Sequence, residues 1–191
     1  DAAFYAAFGN VEPAGKRTLL ALDVSGSMAY GEIAGVPGLT PRDASAAMAL
    51  VTAATEPSYE VVGFMHELAP LAISPRQRLD DAIRTVSNLP FGATDCAQPM
   101  RYALEQRREI DTFVVYTDSE TWAGNKHLDV VLDEYRKKKN RNVKVVIAAM
   151  TANRSTVGDP QDLAILQTLG FDASLPSVIA AFVGRATGVE E

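Results

Sequence analysis

Three short stretches of this sequence gather oxygen donors, two at the ends of apolar runs and one in an intervening loop. Asp23-Val-Ser25-Gly-Ser27 alternates a carboxylate with two hydroxyls, and Gly26 lets the backbone turn sharply between the serines. Thr94-Asp95 follows the flexible pair Gly92-Ala93, and Thr117-Asp118-Ser119-Glu120 follows the apolar run Thr112 to Tyr116. Carboxylate and hydroxyl oxygens are hard donors. A small octahedral cation such as Mg²⁺ takes two or three of them and retains waters, with Mn²⁺ or Ca²⁺ as alternatives. Few direct carboxylates leave such a cation electrophilic, able to accept a carboxylate or phosphate oxygen from outside. The chemistry expected here is therefore ligand capture. Glu120 and Trp122 stand where they could touch a partner arriving at the cation, although an inward-packed anchor is an equal reading of the tryptophan.

Other chemistries fit these residues less well. Alone, D-x-S-x-S is as readily a polar turn capping a helix; its conjunction with Thr94 and Asp118 favours the metal. Asp23 could also be a phosphorylated nucleophile, as in haloacid-dehalogenase-like phosphatases, but the motif of that family places a second Asp two residues on as general acid, and that position here is Ser25. His66 and His127 have no Cys or His at ligand spacing, which disfavours zinc. Cys96 lacks a local histidine and reads as a small buried hydrophobe, while Asp95 reads as a helix cap. The run Arg136 to Lys139 closes a helical pattern, where cations suit the helix dipole, so a solvated helix end is preferred to an RNA clamp. The expectation is a binding module and no enzyme, with a metal-dependent phosphohydrolase as the rival.

These loops act together only if the fold brings them to one place. Thr18 to Asp23, Tyr59 to Met65, Thr112 to Tyr116 and Val143 to Ala149 are nearly continuous apolar runs, as expected of parallel strands covered on both faces. Pro70 demotes Glu67 to Ile73 to an edge strand. Helical spacing appears in Ala44, Ala47, Met48 and Val51 after the Thr40-Pro41 start, and in Leu79, Ala82, Ile83 and Val86. It recurs in Met100, Ala103 and Leu104, in Leu128, Val131, Leu132 and Tyr135, and in Leu175, Val178, Ile179 and Phe182. Asp133/Lys137 and Glu134/Lys138 are placed as i,i+4 pairs, and Asp159-Pro160 predicts one more helix start. The fold class is α/β, a three-layer Rossmann-like arrangement: a mostly parallel central sheet, one antiparallel edge strand and helices on both faces. Ligands in such sheets sit beyond the carboxyl ends of the strands, after Leu22, Tyr116 and Met150.

Composition bounds the remaining choices. The 191 residues are 47% hydrophobic and 22% charged, enough for a packed globular core. No window reaches eighteen uncharged apolar residues, so no membrane partner is expected. A lone cysteine and no signal-peptide pattern favour a reducing, cytoplasmic location, and the first residues read as a cut from a longer chain. Eighteen Lys+Arg against 24 Asp+Glu give a net charge of -6, which opposes a broad basic footprint for nucleic acid. Residues 1–16 are read as an N-terminal helix and connector, and 17–191 as the domain proper.

Asp23-x-Ser25-x-Ser27, Thr94 and Asp118 resemble the metal-ion-dependent adhesion site of a von Willebrand factor A domain. That resemblance implies direct or water-mediated contact to metal by Ser25, Ser27 and Thr94, with Asp23 and Asp118 mainly holding metal-bound waters. Val11-Glu-Pro-Ala-Gly-Lys16, Gly92-Ala-Thr-Asp-Cys96, Thr117-Asp-Ser-Glu-Thr121, Glu134-Tyr-Arg-Lys-Lys138 and Gly170-Phe-Asp172 further resemble the Ro autoantigen, or TROVE, family. The Gly31 to Gly38 loop is more like its bacterial, Ro sixty-related members. Membership implies a ring of helical HEAT-like repeats in the parent chain. It also implies binding of small noncoding Y RNA and defective RNA ends in RNA quality control, and an exoribonuclease partner. The alternative is a stand-alone A domain capturing a protein carboxylate on its metal. One departure from the A-domain pattern is a missing final strand, since only a vestige fits between Leu169 and Ser174.

Overall fold

The structure, a computed structural model, describes residues 11–33, 36–65, 67–89, 92, 94–118, 127–151, 157–171 and 174–185. Six strands form one sheet: β1 (Thr18–Asp23), β2 (Tyr59–Phe64), β3 (Leu68–Pro70), β4 (Thr112–Thr117), β5 (Lys144–Ala149) and β6 (Ile165–Leu169). Their order is β3-β2-β1-β4-β5-β6, with β3 antiparallel to β2 and every other pairing parallel. The expected α/β class, parallel sheet and antiparallel edge are all observed. Among the described residues, five α-helices cover the faces: α1 (Pro41–Thr55), α2 (Leu79–Ser87), α3 (Gln98–Glu105), α4 (Leu128–Lys138) and α5 (Leu175–Gly184).

Side chains alternate across each strand, so the central strands feed two cores. Leu20, Leu22, Val114, Tyr116 and Val146 pack with Met48 and Leu50 of α1, Ala82 and Val86 of α2, and Leu175 and Val183 of α5. Leu19, Ala21, Phe113, Val115, Val145 and Ile147 pack with Met100 of α3 and Leu132 and Tyr135 of α4. Asp23 and Thr117 continue the second set by parity. Phe113 and Tyr135 meet edge to face at 5.1 Å, and the Tyr135 hydroxyl accepts the Ile110 N–H at 2.6 Å, which fixes α4 to the approach of β4.

Local chemistry sets the helix ends. Thr40 caps α1 by accepting the Asp43 N–H at 3.1 Å, and Pro41 occupies the first turn, where its missing N–H costs nothing. α1 is buried nearly all round: Ala46, Ala49, Leu50 and Ala53 join the predicted stripe, and Ala47 is only half-buried. On α4, Lys138 pairs with Glu134 at 2.7 Å as expected, whereas Asp133 lies nearer Arg136, at 3.7 Å.

Two expectations require correction. No helix starts at Asp159-Pro160. Instead Asp159 accepts the Gln161 N–H at 2.8 Å and Asp162 the Ala164 N–H at 2.9 Å, so each carboxylate closes a local turn. Those turns deliver the chain into β6, which pairs with β5 from Val145↔Ile165 to Ala149↔Leu169. The final strand is therefore present, ahead of the place where only a vestige fitted. Its half-exposed Ile165-Leu-Gln-Thr-Leu169 lacks the continuous burial of β4, because β6 is the sheet edge. Of the segment expected as an N-terminal helix and connector, residues 1–10 lie outside the described residues, and 11–16 form neither helix nor strand.

Gly63 in β2 is a tight point of this packing. A Cβ there would lie 2.4 Å from Leu89 Cδ1, 3.3 Å from Val24 and 3.4 Å from Leu71. Gly63→Val is expected to destabilise by about 1–3 kcal/mol through overpacking, measured as a lower urea midpoint at unchanged slope. An unchanged midpoint would mean that this layer has slack.

Candidate metal centre

The connections that leave the neighbouring strands β1 and β4 run to helices on opposite faces of the sheet, α1 and α4, which opens a crevice beyond the carboxyl ends of these strands. Asp23 ends β1, and Asp118 follows β4 directly. Asp23 is fully buried: its Oδ1 accepts the Ser25 N–H at 2.8 Å and its Oδ2 the Thr117 hydroxyl at 2.7 Å. The Thr94 hydroxyl approaches both carboxylate oxygens, at 3.3 and 3.4 Å. Ser25 and Ser27 place their Oγ atoms 3.1 Å apart, the first buried and the second exposed on the 3₁₀ turn Gly26–Ala29. Asp118 and Thr94 are buried, and Thr151 donates to the Asp118 carbonyl at 3.2 Å. The five predicted metal-site residues thus gather at one rim, while Glu120 and Trp122 lie outside the described residues.

The electrostatics follow from this burial. Loss of solvent pushes the Asp23 carboxyl above the usual carboxylate range. Hydrogen bonds from Thr117 and Ser25 oppose the shift, and the neighbouring Asp118 carboxylate adds to it. Two acidic groups and three hydroxyls in one crevice suit a hard divalent cation, because its charge would offset the penalty that burial and Asp118 impose on Asp23. Among the described residues no three His, Cys, Asp or Glu side chains cluster at metal-binding range, so a zinc-type centre has no donors there. Cys96 is fully buried, and burial followed by the fields of Asp23 and Asp95 pushes its thiol well above the ordinary range, as expected of an inert packing residue. Asp95 accepts the Ala97 N–H at 3.0 Å and pairs with Arg101, so it closes the turn ahead of α3; the cap position itself is Ala97, which corrects the reading of Asp95 as the helix cap.

Two residues have roles that the sequence does not reveal. Thr117 reads there only as the start of the donor-rich stretch Thr117 to Glu120; the hint of its role is the side-chain parity it shares with Asp23. Arg42 sits in the first turn of α1, buried at 4% exposure, and its guanidinium donates to the Val24 carbonyl at 3.1 Å and the Ser25 carbonyl at 2.9 Å. Burial lowers its pKa and the Asp23 carboxylate raises it again, so the helix holds the serine loop from behind with a cation. The sequence signal was an arginine three and four residues before the core positions Ser45 and Ala46.

The family model of the Ro60 von Willebrand A (vWA) domain matches residues 17–183. The chain belongs to the Ro60 vWA family. The RNA-binding protein RO60 of Deinococcus radiodurans is 50% identical over 182 residues, covering 95% of this chain and 34% of that protein. Its namesake from Caenorhabditis elegans is 38% identical over 184 residues, covering 96% and 28%. The crystal structure of the D. radiodurans Ro (RSR) protein superposes with a TM-score of 0.86 at 50% identity, covering 93% of this chain and 36% of that one. Proximal thread matrix protein 1 from mussel byssus, at 11% identity and a TM-score of 0.53, shares the fold alone. The Ro60 vWA domain described here therefore spans about a third of the length of the relatives it matches.

Arg42 provides a test of how the loop is held. Arg42→Met strips the donor from two carbonyls and is expected to cost about 1–3 kcal/mol. It should also accelerate hydrogen exchange at the Ser25 and Ser27 amides more than at the β5 amides. Equal exchange in variant and parent would show that the clamp does not order the loop.

Proposed function

We propose that this domain binds a divalent cation at Ser25, Ser27 and Thr94, and presents it to an anionic ligand as part of a Ro-like RNA-binding protein. Mg²⁺ is the first candidate, with Mn²⁺ or Ca²⁺ as substitutes. The observation that carries the reading is the convergence of three hydroxyls and two buried carboxylates beyond β1 and β4. When bound, the cation supplies an electrophilic position for a carboxylate or phosphate oxygen. Asp23 and Asp118 are placed to hold metal-bound waters, Thr117 fixes the Asp23 carboxylate, and Arg42 fixes the serine loop. RNA as the parent's ligand rests on the 50% and 38% identical relatives named for RNA binding. Y RNA and defective RNA ends are the proposed classes, with a HEAT-repeat ring and an exoribonuclease as proposed partners. No described helix is long and apolar enough to cross a membrane, in keeping with the proposed cytoplasmic location.

Ser27 is exposed, so Ser27→Ala removes a ligand without opening a cavity. Wild-type protein is expected to gain about 2.7 kcal/mol at Mg²⁺ one hundred-fold above its dissociation constant. The variant should lose most of that gain while its metal-free unfolding stays unchanged. Equal Mg²⁺-dependent stabilisation of both proteins would overturn the metal assignment.

We also propose that the site captures ligand without turning it over. Ser25 occupies the place of a general acid, and Cys96 is sealed in the core. Purified protein with Mg²⁺ should hydrolyse neither p-nitrophenyl phosphate nor RNA. Metal-dependent turnover that survives purification and disappears in Asp23→Asn would make it an enzyme.

A further inference from the structure

The metal centre occupies one rim of the sheet, and the opposite rim, where β1, β4 and β5 begin, carries a different charge. Lys16 and Arg17 precede β1, Arg107 and Arg108 precede β4, Lys137, Lys139 and Arg141 precede β5, and Arg185 follows α5. Contacts bind these segments into one surface. Lys139 Nζ donates to the Arg107 carbonyl at 3.3 Å, and Asn140 Nδ2 to the Ile110 carbonyl at 3.2 Å and to Asp111 Oδ1 at 3.1 Å. Arg17 in turn holds Asp111 through both carboxylate oxygens, at 2.8 and 2.9 Å. At the other end Lys144 Nζ donates to the Phe182 carbonyl at 2.6 Å and to the Arg185 carbonyl, and the fields of Lys16 and Arg185 both reach it.

Most carboxylates on this rim are already engaged. Glu109 and Asp111 pair with Arg17, Glu60 faces Arg108 at 3.6 Å, and Glu56 accepts the Ala14 and Gly15 N–H groups. Glu12 and Glu105 are left exposed without such a partner among the described residues. Two cations of the α4 run are likewise spent, Arg136 on Asp162 at 2.5 Å and Lys138 on Glu134 at 2.7 Å. Lys16, Arg107, Lys137, Lys139, Arg141 and Arg185 make no ion pair among the described residues, and all but the half-buried Lys139 are exposed.

We propose that this rim is a second, metal-independent contact surface that binds the phosphodiester backbone of RNA through those six side chains. The inference rests on the RNA reading above and gives it a place on this chain. None of the exposed large apolar side chains, Tyr30, Val36, Val130, Leu163, Leu169 and Val178, falls within residues 11–17, 105–111, 137–144 or 182–185. A cationic surface without an apolar centre suits a solvated polyanion better than the desolvated core of a protein interface. The net charge of -6 does not oppose this locally. Six-residue strands separate the two rims by about 20 Å, beyond a Debye length of about 8 Å at physiological salt.

The test is fluorescence anisotropy of labelled oligouridylate U20 with the 191-residue chain from about 50 to 200 mM salt, with Mg²⁺ and with EDTA. Binding should be weak, equal in both media, and retained by Ser27→Ala. The triple variant Arg107→Gln/Lys139→Gln/Arg141→Gln should bind at least about tenfold more weakly. Its log–log salt slope should fall by about 2, at about 0.7 per lost phosphate contact. Arg76→Gln/Arg78→Gln/Arg84→Gln changes the net charge equally on another face and should stay within about twofold of wild type; circular dichroism melts confirm that both triples fold. Equal losses in the two triples, or polyglutamate competing as well as RNA per charge, would overturn the proposal, the latter in favour of an acidic protein surface. Binding lost with EDTA or Ser27→Ala but kept in the basic-rim triple would overturn it while preserving the RNA reading at the metal rim. No U20 binding at the lowest salt would overturn both for this chain.

Discussion

A carboxylate with no solvent exposure at the end of the central strand is the constraint on which the rest of the site depends. Asp23 gives up its hydration, a cost of several kcal/mol unless donors replace it. The donors come from three separate places: the Ser25 amide two residues on, the Thr117 hydroxyl at the end of β4, and the Thr94 hydroxyl ahead of α3. Each needs a different part of the fold in register. Thr117 reaches Asp23 because β4 lies beside β1 with Leu22 opposite Tyr116, one residue short of the pair that bonds. The Ser25 amide points back because its loop is held from α1 by Arg42.

Parallel strands sort the two ends of every connection onto opposite rims, so the direction of a loop fixes which face its charges populate. Here the loops that leave β1 and β4 carry Asp23 and Asp118, and the segments that enter β1, β4 and β5 carry Lys16, Arg107 and Lys139. Net charge averages over this separation. A value of -6 argues correctly against a uniformly basic footprint and says nothing of one rim. The basic run at the end of α4 likewise divides in three dimensions: Arg136 and Lys138 are structural ion-pair partners, while Lys137 and Lys139 remain available.

Much of this was legible in the residue order, and the failures have local physical reasons. β1 and the capped start of α1 follow from a continuous apolar run and from Thr40-Pro41, because both signals lie within a few residues. The grouping of Asp23, Ser25, Ser27 and Asp118 was legible from strand ends, since a parallel sheet must bring those ends to one rim, whereas Thr94, in the loop ahead of α3, joined them through the resemblance to the adhesion site. β6 was not, because an edge strand is half-exposed and its periodicity is weak. Asp159-Pro160 carries the same residue types as a helix start, yet an aspartate can spend its carboxylate on a turn two residues ahead, and only the tertiary partner β5 decides between the two. Arg42 was missed because a buried guanidinium is rare, and its partners are backbone carbonyls that no pattern of side chains reveals.

The choice of hydroxyls over acids at this rim also bears on what the site can do. Two carboxylates balance a divalent cation once, so the proposed ion would keep its pull on a further anionic oxygen, whereas a third acid in place of Ser25 would leave the centre anionic. The same substitution would place an acid two residues beyond Asp23, where it could serve as a proton donor. The Ser25 backbone N–H closes the loop onto Asp23, and the Ser25 hydroxyl lies 3.1 Å from that of Ser27, where it would add a neutral ligand to the proposed ion. Under the proposed reading such a centre would hold an anion rather than cleave it. The buried Thr117 hydroxyl bond holds one Asp23 carboxylate oxygen in place, at 2.7 Å, for that role.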